Sequence, residues 1–130
     1  MTELLVQLLT ALALLTGYRD IPAPEVRTPP AAEFVAIGCR GGCAAAAKYN
    51  GGIVYLSPTL DLTTAKGRSA LFHELVHHAQ RARRGEAKEC HEWLRREMEA
   101  YAAQNRYLSE VENSGTRVYF TGRCVEPETA

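Results

Sequence analysis

The sequence predicts an α+β domain, and three observations carry the expectation. Apolar residues recur at helical spacing in three stretches, 4–15, 64–84 and 90–108. Short runs of β-branched and aromatic residues at 34–37, 53–56 and 117–120 have strand composition. A chain of 130 residues suits one domain with one core, so helices and strands must share it.

In the first stretch Leu5, Leu8, Leu9, Leu12 and Leu15 lie on one helical face, and Gly17 supplies a stop. Residues 1–17 read as an apolar N-terminal core helix, with a signal or anchor as the alternative. About 15 uncharged residues separate Glu3 from Arg19, which is short for a membrane span. The early charge is also negative, where a signal peptide carries a positive one. Pro22, Pro24, Pro29 and Pro30 then exclude a central strand or helix interior. Phe34, Val35, Ala36 and Ile37 read as a short strand, and residues 44–49 as a short helix or irregular segment. Asn50-Gly51-Gly52 predicts a hairpin turn leading into a strand at Ile53–Leu56, which Ser57 and Pro58 end.

The strongest helix spans 64–84, with Thr63 or Thr64 as N-cap and Gly85 just past its end. Arg81, Arg83 and Arg84 fall in its last turn, where cations suit the helix dipole. In the following helix, 90–108, Trp93, Leu94, Met98, Tyr101, Ala102 and Leu108 form an apolar stripe. Arg117-Val118-Tyr119-Phe120 reads as a last short strand. No internal repeat interrupts this order, so 1–130 is expected to be a single domain.

Lys plus Arg and Asp plus Glu each number 15, so no global field draws in nucleic acid. Membrane contact is expected only if residues 4–15 act as an anchor. The four cysteines allow three pairings. Cys39 with Cys43 and Cys90 with Cys124 are favoured, because Gly41 and Gly42 let the chain turn tightly between the first two. Such usage points to an oxidising compartment, secreted or periplasmic. Four free thiols would instead place the chain in the cytoplasm.

The chemistry concentrates in His73-Glu74-Leu75-Val76-His77, an H-E-x-x-H motif inside the strongest predicted helix. Residues four apart share a helical face, so His73 and His77 can offer two imidazole nitrogens to one Zn2+. Glu74, beside them, can serve as general base toward a zinc-activated water. Three of the chain's four histidines, His73, His77 and His78, lie in this segment. His78 points about 100° away and is expected to pack or hydrogen-bond rather than ligate. A metal of catalytic type needs a third protein ligand. Arg83 stands where a continued H-E-x-x-H-x-x-G-x-x-H pattern would place a histidine.

Glu97-Met98-Glu99-Ala100-Tyr101 resembles the E-x-x-A-[D/N] segment of gluzincin-type metallopeptidases. The resemblance implies Glu97 as third ligand; Glu99 on the same helix is an alternative, and so is His91, since catalytic zinc sites with three histidines also exist. Tyr101 stands where the family carries Asp or Asn, so the resemblance leaves Tyr101 or Glu99 to support a ligand. The two helices together with the strand around Tyr49 and Tyr55 are similar to small bacterial zincin-like domains of unknown function. That likeness implies a minimal zincin-like fold, with Tyr55 and Tyr49 lining a cleft where an extended peptide adds as a strand. The expected activity is hydrolysis of a peptide or protein substrate. The alternatives are a metal-binding but non-catalytic domain acting in partner binding, secretion or defence, and a disulfide-stabilised binding protein without metal.

Overall fold

A computed structural model describes residues 1–38, 43, 44 and 46–124. The architecture is α+β: helices pack against one side of a small mixed sheet. The elements in chain order are α1 (Thr2–Thr16), β1 (Glu25–Arg27), α2 (Ala31–Ala36), β2 (Cys43–Ala44), β3 (Ala47–Asn50), β4 (Ile53–Leu56), α3 (Ala65–Arg84) and α4 (Cys90–Arg106). A π-helical turn, Tyr107–Val111, finishes α4.

The four strands lie in the order β1-β4-β3-β2. β3 and β4 form the expected hairpin, with Asn50 paired to Ile53 across Gly51 and Gly52. Both glycines have positive φ, 62° and 85°, as a tight two-residue hairpin turn requires. β1 pairs in parallel with β4 and lies at the sheet edge, the one place where a proline-flanked strand is tolerated.

α3 is the central element, buried continuously from Leu71 through His77. One side faces the sheet; the other meets α1 and α4. Thr64 caps its start, accepting from Gly67 N–H at 3.0 Å, and Gly85 ends it with φ 70°. The core gathers Leu8 and Leu12 of α1, Val54 and Leu56 of β4, and Leu71, Phe72, Leu75 and Val76 of α3. Phe72 stacks on Tyr107 with centroids 4.7 Å apart. Among the described residues no helix is long and apolar enough to cross a membrane.

Three local expectations are corrected. Residues 34–37 do not form a strand. Pro29-Pro30 opens α2, and Lys48 reaches across to cap it, donating to Phe34 O at 2.8 Å and Ile37 O at 3.1 Å. Of residues 44–49, expected to be helical or irregular, Ala44 belongs instead to β2 and Ala47, Lys48 and Tyr49 to β3, because Ala47–Asn50 finds a partner in β4. Residues 117–120 do not form a strand either: this segment lies against α4, whose backbone groups are already paired. The Asn105 amide takes the place of a neighbouring strand, donating to Val118 O at 2.9 Å and accepting from Val118 N–H at 2.8 Å. Cys90 and Cys124 form a disulfide, as expected. The pairing of Cys39 with Cys43 falls outside the described residues.

Candidate metal centre

α3 and α4 pack face to face, and this places His73 and His77 opposite Glu97. Ser69, His73, His77 and Gln80 follow one side of α3 at intervals of four, four and three; Glu97, Tyr101 and Gln104 follow one side of α4 at four and three. His73 Nε2 lies 3.0 Å from Glu97 Oε1, His77 Nε2 lies 2.5 Å from the same oxygen, and the two Nε2 atoms are 3.2 Å apart. The three residues are 0%, 6% and 3% exposed, so water contributes little to balancing this cluster.

The tautomer of each histidine follows from its neighbours. Gln104 Nε2 donates to Ser69 Oγ at 3.1 Å, and the Ser69 hydroxyl spends its own proton on Lys66 O at 2.7 Å. The Gln104 oxygen therefore faces His73 Nδ1, at 2.9 Å, and accepts its proton. Gln80 Nε2 donates to Arg96 O at 2.9 Å and Glu99 Oε1 at 3.0 Å, so the Gln80 oxygen accepts from His77 Nδ1 at 2.8 Å. In the neutral form each imidazole thus carries N–H at Nδ1 and a bare lone pair at Nε2. Two nitrogen lone pairs and a carboxylate oxygen converge in a dry space, and such an arrangement calls for a cation.

A tetrahedral zinc with ligand bonds of about 2.1 Å has ligand–ligand edges of about 3.4 Å. Two of the observed separations, 3.2 and 3.0 Å, approach that edge, the third, 2.5 Å, is shorter, and all three donor atoms lie within 4.8 Å of one another. The residues fit a metal ion, with both histidines held by an amide oxygen as metal-binding imidazoles commonly are. Electrostatics agree. Burial is the largest influence on His73 and holds its imidazole below the usual value, favouring the neutral ligand form. Burial is the largest influence on the Glu97 carboxyl and would raise it, but the His73 and His77 side chains facing it bring it below its ordinary value.

Glu74 follows His73 on α3 and is fully buried. Tyr101 sets its ring edge against His73, with centroids 4.5 Å apart at 69°. Burial, then the carboxylates of Glu97 and Glu74, push the Tyr101 phenol above its usual value, so Glu74 and Tyr101 share the field of this centre.

The alternative ligands lie elsewhere. Glu99 turns away from the ion site and accepts from Tyr18 OH at 2.6 Å and from Gln80; it supports His77 through Gln80 and is not a ligand. His91 is exposed at the start of α4 and outside the triad. His78 accepts from Tyr49 OH at 2.8 Å and donates to Pro22 O at 2.8 Å, the hydrogen-bonding role expected for it. Tyr55 lies on β4 beside Arg27, away from the triad. β4 is paired on both sides, so it has no free edge to which a peptide could add.

Sequence reasoning overlooked the two glutamines as ligand supports. Their signal was spacing: Gln80 is three residues from His77, and Gln104 is seven from Glu97 on the same helical face. Comparisons of the chain with protein-family models, curated proteins and solved structures return no match, so the chemistry of this centre is argued from its own geometry.

Proposed function

We propose that this chain is a zinc-dependent peptide-bond hydrolase of gluzincin type, with His73, His77 and Glu97 as ligands and Glu74 as general base. The observation that supports it best is the convergence of two oriented Nε2 lone pairs and one carboxylate beside a second buried carboxylate. When bound, zinc supplies Lewis acidity able to bring the pKa of water to about 7. Glu74 takes up a proton on its carboxylate and returns it to the departing amine. Gln80 and Gln104 keep the imidazoles aligned throughout. Tyr101 retains its phenolic proton at neutral pH and remains a hydrogen-bond donor at the edge of the centre. The Cys90–Cys124 disulfide favours a secreted or periplasmic setting, and a peptide or protein is the substrate class.

A second reading has its own support. The near-complete burial of the triad suits a metal-holding domain that binds a partner, as in secretion or defence, without turnover. Metal content and peptide hydrolysis decide between them. The native chain should hold about one zinc, and Glu97→Ala should lose it. Glu74→Gln should keep zinc and lose hydrolysis. No zinc after supplementation would refute both readings; zinc without hydrolysis of any peptide in a diverse library would favour the second.

A further inference from the structure

Residues 118–124 run along the face of α4 that carries Glu97. On α4, Trp93, Glu97 and Tyr101 are four residues apart and share one face. The Phe120 ring touches both outer members. It stacks on Tyr101 with centroids 5.2 Å apart at 17°, and meets Trp93 edge-on at 6.0 Å and 78°. One ring that reaches both neighbours spans the turn carrying Glu97. Tyr101 in turn abuts His73, so the order outward from the ligand is His73, Tyr101, Phe120. Gly122 closes over this column: a Cβ there would come within 2.3 Å of Phe120 Cζ.

Two ties hold the segment to α4, one on each side of Phe120. Before it, the Asn105 side chain pairs with both backbone groups of Val118. After it, Cys124 is bonded to Cys90 at the first turn of α4. The three ligand residues beside this column are 0–6% exposed.

We infer that residues 117–124 are a redox-latched strap: Phe120 plugs the approach to the metal centre and the Cys90–Cys124 disulfide locks it there. The inference rests on the metal centre proposed above. Opening requires a dithiol reductant. One of its thiolates attacks a sulfur of the disulfide, forming a mixed disulfide and releasing the other cysteine. The reductant's second thiol then displaces the remaining cysteine. Cys90 and Cys124 leave as thiols, and the reductant leaves as a disulfide, having given up two electrons and two protons. Among the described residues, the strap then keeps the Asn105 pair and the ring contacts.

Trp93 is the chain's single tryptophan, so its fluorescence reports the strap directly. Two measurements are made on the oxidised native chain, on Phe120→Ala and on the double variant Cys90→Ser/Cys124→Ser. They are acrylamide quenching of Trp93 and the rate at which a chromophoric chelator strips bound zinc. Both variants should lose zinc at least ten-fold faster than the native chain and show stronger quenching. Dithiothreitol should bring the native chain to the same rate and leave the double variant unchanged, which separates the latch from any other disulfide. Equal zinc-release rates and equal quenching in all three proteins would overturn the inference. If no protein takes up zinc, the metal reading fails by itself, and quenching of the metal-free proteins still decides whether the strap shields α4.

Discussion

At the zinc centre proposed above, replacing Gln104 with leucine should weaken metal binding about ten- to a hundred-fold, and the reason lies in a proton rather than in the ion's own contacts. In the native chain the Gln104 oxygen holds the His73 proton on Nδ1, 2.9 Å away. Leucine fills similar space and offers no acceptor. Without metal, His73 can move its proton to Nε2 and donate it to Glu97 Oε1, 3.0 Å away, at little cost. With metal, Nε2 must be bare, so the proton returns to Nδ1 and is buried without a partner. That penalty, about 1–3 kcal/mol, falls on the loaded state alone and corresponds to about one to two decades of affinity. A competition titration against a chromophoric zinc chelator measures it. Gln104→Glu keeps an acceptor and should bind far more tightly than Gln104→Leu. Native affinity in the leucine variant, or equal weakening in both variants, would refute the tautomer argument.

Other outcomes follow from the packing. Phe72 is fully buried and stacked on Tyr107, so Phe72→Ala should cost about 3–5 kcal/mol in urea denaturation. Gly67→Ala should destabilise the chain although alanine is the better helix former by about 1 kcal/mol, because the new Cβ would lie 1.8 Å from Asp61 O; a raised urea midpoint would contradict this. Hydrogen bonds from the Arg68 guanidinium, aided by one from Tyr107, outweigh burial and hold the Glu112 carboxyl below its ordinary value of 4.5. A depressed carboxyl contributes stability above the unfolded value and loses it as pH falls through the folded one. The stability lost in Glu112→Gln should therefore be largest near pH 7 and shrink below pH 4.5, as read from urea midpoints at both pH values.

The features legible in the sequence were those written locally. Thr64 and Gly85 frame α3 within a residue of the expected ends, and Asn50-Gly51-Gly52 marks its own turn. The H-E-x-x-H spacing and Glu97 gave the three residues that meet at the ion site. What escaped was set by distant partners. Phe34-Val35-Ala36-Ile37 has strand composition, and only Lys48, contributed by β3, shows why α2 is stable there. The 117–120 run has strand composition without a strand beside it, and its partner is one asparagine side chain on a helix. Gln80 and Gln104 take their role from the imidazoles opposite them, which the local sequence does not write.

The hydrogen bonds behind His77 extend beyond the two helices that carry the ligands. Gln80 passes from His77 to Glu99, and Glu99 accepts from Tyr18, just after the end of α1. A ligand that binds only the assembled centre stabilises everything the assembly requires, by mass action. Loading of the proposed ion and docking of the N-terminal helix would therefore be two ends of one equilibrium: metal should slow hydrogen exchange along α1, and loosening α1 should cost metal affinity.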